Sequence, residues 1–131
     1  MIDNFWSAPL TKSGCSALVP PGPWIYGLTG IGVSYRANPS ALAEVVPKPL
    51  RVSDGGVFAY LVEIVSWSPR VPEFNIKAPD LVQYCEAAFF IKVNHNGIDY
   101  AYCPYMWVDK DLPLLRGILV GWPKKYATIS I

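Results

Sequence analysis

The chain has 131 residues, 52% of them hydrophobic and 16% charged, with a formal net charge of +1. That length suits a single domain able to bury a core without metal or disulfide staples, and a charged fraction well under the usual ~25% argues against disorder and for surfaces covered on both sides or by a partner. The eleven basic residues are scattered and form no stripe, which removes nucleic acid and anionic membrane surfaces as partners.

Cys15, Cys85 and Cys103 show no CxxC spacing and His95 is the only histidine, so no zinc site of ordinary ligand spacing can be assembled. The opening MIDNFWSAPLTKSG has neither a basic n-region nor an apolar h-region, and no run approaches the ~18 apolar residues of a membrane span. The expectation is a cytoplasmic protein with no metal or organic cofactor.

Thirteen prolines, about twice the usual frequency, forbid long helices and favour short extended pieces. After a loop-like start ending in VPPGPW, IGVSYR reads as a strand. NPSALAEVVPKPL reads as a short helix, with Asn38 as cap, Pro39 in the first turn and Pro47 as the stop. SDGG at 53–56 predicts a turn into the strand VFAYLVEIVSW, which is too apolar to have one wet face. SWSPRVPEFNIKAPD reads as a loop. VQYCEAAFFIKV and IDYAYCPYMWV flank NHNG, and Asn96-Gly97 supplies the positive φ values of a two-residue hairpin turn. DKDLPLLRGILVG fits either a short helix or a packed loop, and YATISI reads as a final strand. Trp67, Tyr84, Tyr100, Tyr102, Tyr105, Trp107 and Trp122 read as core aromatics, some of them able to line an apolar cavity.

The pair Lys124-Lys125 in GWPKKYATISI raises a chemical question. A lysine attacks a carbonyl only as the free amine, so its pKa of about 10.4 must fall by roughly three units to be useful near neutrality. Two ammonium groups on opposite faces of a strand, on the order of 10 Å apart, repel by about 1.7 kcal/mol at an effective dielectric near 20, little more than one unit. Burial can supply about three to five. Desolvation is therefore the expected cause, with Lys125 as an auxiliary. A bare Lys-Lys dipeptide is more often a solvated patch.

The order of GPW, VSYRANPSALAEVVPKPL, YCEAAFFIKV with its NG hairpin, YMWVDKD and RGILVGWPKK resembles the N-terminal half of the acetoacetate decarboxylase-like family over nearly the whole chain. The resemblance implies a mainly β (α+β) fold, an antiparallel, two-layered, barrel-like sheet with one short helix, of which residues 1–131 form a single domain covering only part. It implies that Lys124 is a Schiff-base nucleophile, that Lys125 assists, that Glu86 moves protons or positions substrate, and that Glu63 is a second pocket carboxylate. Trp122, beside the lysines, and Arg116 complete the candidate substrate-binding set. The alternative for Arg116 is an ion pair with Asp109 or Asp111.

Two departures bear on the activity. The family's arginine after the GP motif is missing from IYGLTGIG at 25–32, and RGI at 116–118 stands where the decarboxylase has Gly-Arg-Glu. The implied activity is a lyase acting on a small oxo acid through an enamine, decarboxylase-like. Aldol, dehydratase or cyclase chemistry on the same lysine is the alternative, and a non-catalytic subunit binding an apolar ligand is the rival. Because family members continue past the double lysine, the remaining strands are expected from a second polypeptide or an oligomer partner, unless the chain is a fragment.

Overall fold

The structure, a computed structural model, describes Val19 and residues 22–131. Apart from Val19, the loop-like start through Pro21, with Cys15, lies outside the described residues. The elements are β1 (Ile25–Arg36), α1 (Pro39–Ala43), β2 (Arg51–Trp67), α2 (Phe74–Lys77), a 3₁₀ turn (Pro79–Leu81), β3 (Gln83–His95), β4 (Ile98–Val108), α3 (Asp111–Leu119) and β5 (Lys124–Tyr126). Among the described residues no helix is long and apolar enough to cross a membrane.

The strands form one sheet in the order β1-β2-β3-β4-β5. The first four pair antiparallel, and the expected hairpin is present, with φ of 52° at Asn96 and 82° at Gly97. The last pair is parallel, because α3 carries the chain back across the sheet before β5 begins. The sheet is therefore mixed, correcting the antiparallel expectation, and it is open: β1 and β5 are its edges, so the described residues close no barrel.

Local expectations fare unevenly. Asn38 caps α1 by accepting from the Ser40 amide at 2.9 Å, but the helix ends at Ala43, well short of Pro47. SDGG is not a turn between elements. It lies within β2 as an irregularity in the pairing with β3, steadied by the Arg36 guanidinium on the Asp54 carbonyl at 3.0 Å. The proline-rich segment holds α2 and the 3₁₀ turn, DLPLLRGIL is helix, and only Tyr126 of YATISI is strand. Among the described residues there are thus three short helices, not one.

Cross-strand register assigns every side chain to a face, since directly paired residues share one. One row of partners runs Gly32, Tyr60, Ala88, Met106, Lys124, and the adjacent row Gly30, Val62, Glu86, Val108. On this front face Val62, Ile64, Tyr84 and Val108 form a buried cluster, with Leu114 of α3 packed against it. The back face carries the rows Ile31, Leu61, Ala87, Trp107, Lys125 and Thr29, Glu63, Cys85. It is buried toward the hairpin at Val57, Ile91 and Val93, but open around Glu63 and Val65, so β2 does have a partly wet face in this chain. Strand β1 is exposed along its length, including Leu28, Ile31 and Val33.

Candidate active site

The segment after α3 aims Lys124. Gly121 takes φ of 90°, the Trp122 amide bonds the Gly117 carbonyl at 3.0 Å, and the Gly121 amide bonds that of Ile118 at 3.1 Å. This is a Schellman-type stop, followed by a proline that cannot extend the helix. The chain then enters β5 with Lys124 on the covered face and Lys125 on the other. Gly117 makes the path possible: a Cβ there would fall onto Cγ, Cδ and Cε of Lys124.

Lys124 Nζ lies 2.6 Å from Glu86 Oε2, with the two side chains only 7% and 8% exposed. The other carboxylate oxygen, Oε1, accepts from the Tyr60 hydroxyl at 2.6 Å. The Tyr84 ring sits beneath the ammonium, 5.6 Å from its centroid. Arg116 is buried as well. It donates to Tyr84 Oη at 3.2 Å and Ser66 Oγ at 3.4 Å, and its guanidinium lies 4.3 Å over Trp24 and 5.2 Å from the Tyr26 ring. Such a planar cation is fixed by donor geometry and stacking.

Lys124, Glu86, Tyr60, Tyr84, Arg116 and Tyr26 line a cavity of about 380 Å³, otherwise apolar through Leu28, Ile64, Phe90, Met106, Val120 and Trp122. Desolvation pushes the Lys124 amine below the usual lysine range, against the hydrogen bond and charge of Glu86, and the Arg116 charge pushes the same way as burial. Burial also raises the hydroxyls of Tyr60 and Tyr84 above the usual phenol range, so both remain protonated near neutrality. A larger depression, about 670 Å³, lies toward the hairpin by Arg36, Lys92 and Asp99. Its charges are exposed and matched to one another through Asp54 and Asp99, so it offers no comparably dry group.

The structure brings together Lys124, Glu86, Arg116 and Trp122. It does not bring Lys125 or Glu63 to them: both are exposed on the back face, because each is one residue out of phase with the cavity row. The like charge acting on Lys124 is that of Arg116, not of its sequence neighbour. Arg116 pairs with no carboxylate among the described residues, since Asp109 accepts from the Cys85 amide at 2.8 Å and Asp111 from the Leu112 amide at 2.7 Å. Trp122 is 43% exposed at the rim, edge-on to Phe90. Of the expected core aromatics Tyr84 is buried, whereas Tyr100 and Tyr105 are exposed. Tyr60 and Gly117 were missed, and the strand alternation Tyr60, Val62, Ile64 was the one signal that pointed to the former.

Comparison with known proteins identifies the family. The family model for acetoacetate decarboxylase (ADC) matches residues 7–131. The chain is 32% identical to acetoacetate decarboxylase 1 of Bradyrhizobium diazoefficiens, covering 96% of this chain and 45% of that protein. Among solved structures, an acetoacetate decarboxylase-like enzyme from Sphingomonas wittichii RW1 superposes with a TM-score of 0.84 at 33% identity, over 95% of this chain and 48% of the other. The enduracididine biosynthesis enzyme MppR, complexed with the condensation product of pyruvate and imidazole 4-carboxaldehyde, gives 0.80 at 29%, over 96% and 51%. The chain thus spans about half the length of the relatives it matches. With an open mixed sheet, a desolvated lysine on its covered face and a family match over residues 7–131, the chain belongs to the acetoacetate decarboxylase family.

Proposed function

We propose that Lys124 is the imine-forming amine of a lyase acting on a small oxo acid. The observation that carries this reading is a lysine with a 7% exposed side chain, held at 2.6 Å from a carboxylate within an otherwise apolar cavity. The free amine adds to the ketone carbon and water leaves, giving a protonated imine whose positive charge sits where the ammonium sat. Two of the ammonium's protons leave in that water, relayed by Glu86, which ends as a carboxylate and stabilises the iminium that replaces the ammonium. Arg116, the other cation of the cavity, receives the substrate carboxylate in place of the arginine missing from 25–32.

Electrons from the bond adjacent to the imine then flow into it. If CO2 departs, an enamine remains, takes a proton on carbon and is hydrolysed to the ketone. If instead a proton leaves the carbon beside the imine, the enamine so formed attacks an aldehyde, and a condensation product forms on the same lysine. The second course is favoured by the 29% identity to MppR, whose structure holds a condensation product of pyruvate. Completion of the site requires cover for β1, whose apolar residues stand open. A second polypeptide, a second copy or further residues of the same chain fit that need, and mass measurement on the native assembly identifies which.

Borohydride reduction with pyruvate or acetoacetate, followed by peptide mapping, tests the reading. The expected result is an adduct on Lys124 that Lys124→Ala abolishes and Lys125→Ala retains. Oxo acid binding without any adduct would replace the enzyme with a non-catalytic ligand-binding subunit.

A further inference from the structure

We propose that Tyr60 is a positioning residue for Lys124, acting through Glu86: its hydroxyl fixes Oε1 of the carboxylate so that Oε2 faces the amine, and it becomes the principal donor to Glu86 when the amine is neutral. This rests on Lys124 being the imine-forming group. The geometry is a chain of three groups from three strands, with 2.6 Å at each link. Tyr60 and Glu86 come from diagonal positions of paired strands, and the ring has room because its direct partner is Ala88. Phe58 and Phe90 hold it at centroid distances of 6.2 and 5.9 Å.

The consequence follows from charge. While Lys124 is an ammonium, Glu86 has two donors and a countercharge. Once the proton is lost, a buried anion is left with Tyr60 as its chief donor, so the hydroxyl stabilises the reactive form more than the resting one. The other groups facing the amine are Tyr84 from β3, Arg116 from α3, Cys103 from β4 and Tyr26 from β1. Burial pushes the Cys103 thiol up, so it adds no negative charge near neutrality. Without the Tyr60 hydroxyl, Glu86 holds the lysine proton more tightly.

Trace labelling of Lys124 with acetic anhydride across pH, read by peptide mass spectrometry, reports the amine without requiring turnover. In Tyr60→Phe the midpoint is expected to rise by about one pH unit, and borohydride trapping of pyruvate near pH 7 to fall about tenfold while recovering at high pH. If Tyr60→Phe does not fold, 3-fluorotyrosine at position 60, a stronger donor of nearly the same shape, is expected to move the midpoint down. An unmoved midpoint, or a loss equal at every pH, overturns the proposal and leaves Tyr60 a packing residue. A moved midpoint with no oxo acid trapped on wild-type Lys124 supports the Tyr60 contact and overturns the imine reading instead.

Discussion

The two faces of the sheet carry the same charged residue types with opposite consequences. On the front, Lys124 and Glu86 meet beneath α3 with side chains less than a tenth exposed. On the back, Lys125 of β5 and Glu63 of β2 stand exposed in adjacent rows. Composition cannot distinguish the two sets, because a strand's period of two separates neighbours by a whole layer of backbone. What desolvates one lysine is therefore the helix laid over it, with Arg116 and Gly117 on adjacent positions of that helix. One supplies a second cation and the other clears a channel for the lysine stem.

The sharpest way to break this comparison is to neutralise the carboxylate on each face. Glu86→Gln removes the partner of a buried ammonium, and breaking such a pair costs about 3 kcal/mol or more, limited here because the amine can shed its proton. Glu63→Gln is expected to change stability by less than about 0.5 kcal/mol. The pH dependence has a definite sign. Glu86 opposes the lowering of Lys124, so its removal drives the amine further below the lysine range. Between that depressed value and about 10.4 the unfolded chain binds the extra proton, so Glu86→Gln should gain stability as pH rises through this window. Urea midpoints measured across pH check both claims. A flat profile in Glu86→Gln would mean that Lys124 is hydrated.

Gly117→Ala probes the channel. The added methyl overlaps the middle of the Lys124 side chain, not a flexible tip. Either α3 lifts or the lysine leaves Glu86, at about 1–3 kcal/mol. Oxo acid trapping should fall by at least about tenfold, a loss equivalent to ~1.4 kcal/mol. Undiminished trapping would show that the amine reaches its substrate by another route.

The legible parts of this fold were the local ones. Asn96-Gly97 encodes its own turn, and Lys124 and Lys125 must point apart wherever β5 lies. The β3 position of Glu86 followed from its distance to the hairpin. What the sequence left open was non-local. The choice between Glu63 and Tyr60 as the neighbour of Glu86 depends on the register of β2 against β3, which the SDGG irregularity displaces. The parallel entry of β5 depends on α3 crossing the sheet. That helix was ambiguous because Pro113 and Gly117 lower its propensity, and the reason for the glycine is a contact with Lys124, visible only once the two are brought together.

The smallest of these effects separates aim from space. Gly121 has nothing within 4 Å of where a Cβ would stand, yet its φ is 90°. Gly121→Ala therefore meets no steric neighbour, and its cost is backbone strain alone, about 1 kcal/mol. If the Schellman stop merely ends α3, the chain absorbs that strain and Lys124 keeps its contact with Glu86, leaving the trapping rate and its pH midpoint unchanged. If the stop sets the direction of β5, relief of the strain rotates the Trp122–Lys124 segment, and trapping falls although the channel beside Gly117 is intact. Gly121→Ala and Gly117→Ala, compared for thermal midpoint and trapping rate, separate these outcomes. Because the Trp122 and Gly121 amides both bond carbonyls of the last helical turn, the second outcome is expected, with a loss of about threefold, equivalent to ~0.7 kcal/mol.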